Sequence, residues 1–200
     1  MKLELISSLL PLLAAAAPAS STPDDPPAFT VLASRSDSPI QHLPLNAADQ
    51  SFYLGGSPHT YCPLPSGCLT GNSTVFAGNG GSLSVSVPGG QQIYVSPDGA
   101  LKFTQAHSAN IPLGSSRGPF AYVPPENPSG NGFGHYEYTG WGAKGFMACP
   151  VEKTEEIPSK WQVFAALQNA TVPGGDVAEC YGFSAVALAT NETGDVWQYN

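Results

Sequence analysis

Between Lys144 and Cys180 the chain carries two short apolar segments and two cysteines, and this stretch restricts the fold more than any other. The first segment is Gly145-Phe146-Met147-Ala148-Cys149-Pro150. An acidic linker follows, then Trp161-Gln162-Val163-Phe164-Ala165, then Cys180-Tyr181-Gly182-Phe183. In a secreted chain this pattern reads as a strand pair stapled by a disulfide.

The N-terminus predicts secretion independently. Lys2 forms a thin basic region, and Leu5 to Ala17 is an apolar run of signal-peptide length, too short to span a bilayer. Ala17-Pro18-Ala19 fits the small-x-small cleavage rule, so residues 1–19 read as a signal peptide cut after Ala19. Residues 20–28 are polar and proline-rich and read as a disordered lead, followed by one domain over 29–200. The polar C-terminus, Asp195 to Asn200, has no hydrophobic tail for a lipid anchor, so no membrane anchor is expected.

Charge excludes some partners. The net charge is -8, and it stays at -8 after cleavage because Lys2 and Glu4 leave together. So acidic a chain is a poor nucleic-acid binder and has no basic stripe for anionic lipid. Charged residues make up only 11%, while Ser, Thr, Gly, Asn and Pro abound, a balance common in secreted all-β proteins.

Four cysteines, Cys62, Cys68, Cys149 and Cys180, allow three pairings. Cys62 and Cys68 bracket the turn-rich Pro63-Leu64-Pro65-Ser66-Gly67, so local pairing, Cys62 with Cys68 and Cys149 with Cys180, is expected. A zinc site built from all four thiolates is the rival, disfavoured by the missing C-x2-C spacing and the oxidising compartment. Asn72, Asn169 and Asn191 each begin an N-x-S/T acceptor, whereas Pro128 blocks Asn127. Glycans on them would mark solvent-facing loops.

The strand pattern is plainest where Leu83, Val85 and Val87 alternate with Ser82, Ser84 and Ser86. Ile93 and Val95 continue a buried face, Pro97-Asp98-Gly99 turns the chain, and Ala100 to Thr104 returns as the third strand of a meander. Further strands are expected at 29–35, 40–45, 51–54, 133–141, 146–149, 161–165, 183–189 and 196–199. The long Pro/Gly/Ser-rich stretch Ala106–Gly132 is unusual inside a compact domain and has room for one more. No capped segment of helical period is present. The expected fold is therefore all-β: a single-domain antiparallel β-sandwich or partly closed β-barrel with disulfides, with a β-trefoil as the alternative.

The search for catalytic chemistry is negative: no G-x-S-x-G, no H-E-x-x-H and no phosphate-binding loop. No catalytic residue, metal site or cofactor is expected. His42, His59, His107 and His135 are scattered. His135 and Glu137 share a strand face and could bind a cation or move a proton, but a polar strand face is the ordinary reading. Glu152, Glu155 and Glu156 lie together in one loop, unlike paired carboxylates facing across a cleft, and read as a solvated run.

The aromatics are the better candidates for binding. Phe133, Tyr136, Tyr138 and Trp141 crowd one strand, and flat rings offer apolar faces on which sugars stack. Alternation puts Phe133, His135, Glu137 and Trp141 on one face and Tyr136 and Tyr138 on the other, so one set is core and the other a possible glycan-stacking strip. Trp161 and Phe164 both read as core, although alternation forbids both from pointing inward from one ideal strand.

Phe146-Met147-Ala148-Cys149-Pro150, then Trp161 to Ala165 and the later Cys180, resembles the fungal PhiA-type cell wall proteins, also labelled IgE-binding proteins. Their core is similar to the C-terminal domain of Pir-type cell wall mannoproteins. The likeness extends to Phe29-Thr30-Val31-Leu32-Ala33-Ser34-Arg35-Ser36 with Pro44-Leu45-Asn46-Ala47-Ala48, and to Gln91 to Val95 with Gly99 to Thr104. The resemblance implies a secreted or wall-associated protein, linked in moulds to phialide and conidium development and to stress protection. It implies neither enzyme activity nor a cofactor. Three functions are thus expected in order: a glycosylated, non-enzymatic wall or extracellular protein; a wall-polysaccharide-binding module; and a secreted effector, elicitor or allergen-like protein.

Overall fold

Strand β1 (Phe29–Ser34) buries every second residue, Phe29, Val31 and Ala33, and the fold is assembled around that stripe. The computed structural model describes residues 26–68, 71–127, 132–152, 159–191 and 196–200. The expected signal peptide and residues 20–25 lie outside the described residues. The other strands are β2 (Leu45–Ala48), β3 (Ser51–Leu54), β4 (Thr60–Tyr61), β5 (Phe76–Ala77), β6 (Ser82–Leu83) and β7 (Gln91–Val95). They continue as β8 (Leu101–Phe103), β9 (Phe120–Val123), β10 (Gly134–Tyr138), β11 (Phe146–Pro150), β12 (Trp161–Ala165), β13 (Tyr181–Ala189) and β14 (Gln198–Tyr199).

The hydrogen-bonded path closes on itself. From β1 it runs through β5, β6, β7, β8, β3, β12 and β11 to β13, and β13 pairs back with β1. Every pairing is antiparallel, yet this circuit has an odd number of strands, so they cannot simply alternate up and down. It closes through two strands that change partners along their length. β7 gives Gln91 and Gln92 to β6 and Ile93 to Val95 to β8. β13 gives Tyr181 to Phe183 to β11 and Ser184 to Ala189 to β1. Strands that switch sheets make the corners of such folds. The result is an all-β, antiparallel, closed arrangement, with two short 3-10 turns among the described residues, at Gly140–Gly142 and Val177–Glu179.

An aromatic core fills the interior. Tyr136 is its hub, with ring centroids 5.1 Å from both Phe76 and Phe146 and 5.6 Å from Phe29. Phe52 joins Phe76 at 5.6 Å to Phe103 at 5.5 Å. Each such pair contributes about 0.5–1.5 kcal/mol beyond simple burial. The C-terminus is tied in by polar groups. The buried Gln91 side chain accepts from the Tyr199 N–H and donates to the Tyr199 carbonyl, both at 2.8 Å, and donates to the Thr104 carbonyl at 2.9 Å. Its amide thus stands in for a strand that Tyr199 would otherwise need.

A second core lies on the outer side of β11 and β12. Met147, Cys149 and Phe164 pack there with Ala100 and Val172, beneath the excursion that leads from β12 to β13. Trp161, Val163 and Ala165 face the main core. Both Trp161 and Phe164 are therefore buried although they point to opposite sides. This explains why β11 reads as an unbroken apolar run and β12 as one interrupted only by Gln162: each is covered on both faces. The Cys149–Cys180 disulfide clips the end of the excursion to β11, and Cys62–Cys68 closes a small exposed loop.

Some sequence expectations need correction. Residues 40–45 do not form a strand. The segment turns, with His42 at φ 62°, and only Leu45 begins β2. Ile40 still buries its side chain completely. Of the Ser/Leu/Val alternation, only Ser82–Leu83 pairs as a strand. Beyond it, the Ser84 N–H donates to the Val75 carbonyl, and the Ser86 and Val87 N–H groups donate to Val196 and Trp197. The stretch 106–132 does hold a strand, β9, which pairs with β10.

Candidate functional site

The candidate site grows from the two ends of β10. Along this strand Tyr136 and Tyr138 point inward and His135 and Glu137 outward. Tyr136 and Tyr138 are 2% and 0% exposed, so the expected stacking role is corrected for both: their faces are consumed by Phe29, Phe76, Phe120 and Phe146. Burial pushes both hydroxyls up from the usual tyrosine range, Tyr136 strongly.

Phe133 and Trp141 remain exposed, at 61% and 48%, but they flank the strand at opposite ends and form no continuous strip. Phe133 stands before β10. Trp141 stands beyond it on the 3-10 turn, and its backbone lies in the left-handed region at φ 54°, ψ 21°. Non-glycine residues are uncommon there, and such strain persists only where the surroundings impose it. Here they do. A Cβ on Gly140 would come within 2.4 Å of the Tyr138 hydroxyl, so the chain must pass this point as glycine. The Ala143 N–H donates to the Gly140 carbonyl at 3.0 Å and the Gly145 N–H to the Tyr138 carbonyl at 3.2 Å. Gly-Trp-Gly is thus a tight turn anchored on a buried tyrosine, and its one side chain projects outward.

Trp141 lines a cleft of about 330 Å³ with Pro97, Gly114, Leu167, Asn169 and Ala170. One wall is the turn after β7 and the other is the excursion that covers the outer core. A half-exposed indole at an open cleft with no charged residue in its described lining presents an apolar face, with the Asn169 amide as the one polar side chain in that lining. That chemistry matches the hydrophobic face and hydroxyl rim of a sugar ring.

A second cleft, of about 430 Å³, opens where β10 and β11 leave the same edge of β13. His135, Glu137, Thr139, Lys144 and Ser184 contribute to its walls. Ser184 Oγ lies 3.2 Å from His135 Nδ1. The His135–Glu137 face noted in the sequence thus gains a serine and a lysine that no spacing rule would have joined to it. Among the described residues, no group of three His, Cys, Asp or Glu side chains comes together to hold a metal ion. Glu152 is exposed, and Glu155 and Glu156 lie outside the described residues.

Asn72, Asn169 and Asn191 are all exposed. The structure joins Cys62 to Cys68 and Cys149 to Cys180 and leaves no free thiol, so no four-thiolate zinc site exists in this state.

No solved structure matches this chain. An uncharacterized secreted protein of Arthroderma benhamiae is 48% identical over 205 residues, covering all of both chains. Residues 29–200, which hold every strand found among the described residues and both clefts, match the family described as PhiA-like secreted protein, and the chain belongs to that family.

Proposed function

We propose that this protein is a secreted, glycosylated, non-enzymatic component of the fungal cell wall or extracellular space, and that it holds wall polysaccharide through Trp141. The observation that carries the reading is the Gly140-Trp141-Gly142 turn. It keeps a large apolar ring half in water at a cost in backbone strain, beside a cleft of uncharged character. Family membership supports the extracellular setting. The two disulfides and the double core suit a chain that must last outside the cell. On this reading the protein serves developing phialides and conidia, or protects them under stress, by binding rather than by catalysis.

The test is a fluorescence titration with soluble β-glucan and chitin oligosaccharides, made on purified Asn169→Gln protein so that no covalent sugar can fill the Trp141 cleft. Trp141 is the most exposed of the three tryptophans, so saturable binding should change its emission, and Trp141→Ala should abolish the response. A flat titration with both sugars would refute the polysaccharide reading.

A further inference from the structure

We propose that the first occupant of the Trp141 cleft is the chain's own glycan, carried on Asn169. This rests on the reading of Trp141 as a saccharide platform and names the source of the saccharide. Asn169 and Trp141 line the same cleft, although they belong to separate parts of the chain. Asn169-Ala170-Thr171 is an acceptor sequence, and the Asn169 side chain is exposed.

The acceptor loop is held firmly. The Thr171 N–H donates to the Asp98 carbonyl at 2.8 Å, and the Ala165 N–H donates to Gly99 at 2.9 Å. Gly99 has φ +90°, and a Cβ there would approach the Ala170 Cβ to 2.9 Å, so the loop lies flat on the turn after β7. The stem of a glycan on Asn169 is therefore fixed beside the indole, with Pro97 and Leu167 around it. Neither Asn72 nor Asn191 lines this cleft.

The attachment itself needs a lipid-pyrophosphate-linked oligosaccharide as donor. Asn169 Nδ2 bonds to the anomeric carbon, the lipid pyrophosphate leaves with the electrons of the broken C–O bond, and the amide nitrogen gives up one proton. Once attached, the first sugar rings can lay an apolar face on Trp141 without the entropy loss of bringing in a free ligand. The same pyranose chemistry could come from wall polysaccharide, so the covalent glycan and the free polymer compete for one ring.

The test uses the full chain secreted from a eukaryotic host, with Asn72→Gln and Asn191→Gln in the background so that only Asn169 can carry sugar. Peptide mapping reads occupancy. Acrylamide quenching, with Trp141→Phe subtracted, reads access to the indole. The glycan on Asn169 should lower the Trp141 quenching constant about twofold against Asn169→Gln, as expected for a ring with one face covered. An unoccupied Asn169, or equal quenching with the glycan present, overturns the proposal. Oligosaccharide titration of Asn169→Gln separates this from the wider reading. Protection by the glycan without binding of free sugar would leave this inference standing and sink the polysaccharide role. Binding of free sugar without protection would do the reverse.

Discussion

Gly80 and Tyr136 are fitted to one another at the centre of the fold: the Tyr136 hydroxyl donates to the Gly80 carbonyl at 2.8 Å, and the ring edge lies where a Cβ on Gly80 would stand, 2.2 Å away. Gly80 also sits at φ +83°. Gly80→Ala should therefore cost about 2–5 kcal/mol, adding left-handed strain to the displacement of a packed ring. Tyr136→Phe keeps the packing and loses one hydrogen bond, so it should cost only about 1 kcal/mol. Denaturant unfolding of the two variants checks the order, and near-equal values would mean that the ring can move aside.

The two disulfides should differ in worth. Cys149 and Cys180 are separated by 31 residues and Cys62 and Cys68 by 6. Loop-closure entropy then gives about 3–4 kcal/mol for the first and about 2 kcal/mol for the second. Replacing Cys149 and Cys180 by alanine should also loosen Phe164 and Met147 in the outer core. Thermal unfolding of the two double variants measures the difference.

The Gln91 side chain both donates to the Tyr199 carbonyl and accepts from the Tyr199 N–H. Gln91→Leu preserves bulk but removes three buried hydrogen bonds, to the Tyr199 N–H, the Tyr199 carbonyl and the Thr104 carbonyl. The expected loss is about 2–4 kcal/mol. Hydrogen exchange at the Tyr199 amide should quicken more than exchange at the amides of β12. Equal change at both sites would point to a general loosening instead.

Alkaline pH should unfold the protein by way of its buried tyrosines. Burial raises Tyr136 and Tyr138, and it raises Tyr94 with help from the Asp98 charge. Each folded-state value lies above the unfolded value of about 10, so beyond that pH the native chain holds protons that the unfolded chain releases. Stability is intact below about pH 10 and falls as pH rises further. Tyrosinate absorbance should show Tyr136 ionising only together with the loss of secondary structure. Its ionisation in a chain that remains folded would contradict the packing described here.

How much of this could be read beforehand depended on where each strand finds its partner. Trp161–Ala165 was legible because both its faces are apolar and its partner, Phe146–Pro150, is nearby in the chain. Thr60–Tyr61 and Phe76–Ala77 are too short to show a period at all. Residues 40–45 have the composition of a strand, but the positive φ of His42 turns them, and no pattern rule detects that. The alternation along β10 was legible, whereas its inward face was not, because both faces carry aromatic rings. The choice fell to Tyr136, whose ring meets four aromatic partners from β1, β5, β9 and β11. The meeting of Trp141 with Asn169 is purely tertiary, and only the Gly-Trp-Gly sequence hinted that Trp141 leaves the strand.

The central claim is that Trp141, and not the aromatic strand as a whole, faces the saccharide. Co-sedimentation of the secreted protein with insoluble β-glucan and chitin tests it most directly, using wild type, Trp141→Ala and Phe133→Ala, each in the Asn169→Gln background so that the cleft is open. The account predicts that wild type and Phe133→Ala enter the pellet alike while Trp141→Ala stays in solution. Equal sedimentation of the Trp141→Ala protein, with its fold verified by circular dichroism, would contradict it.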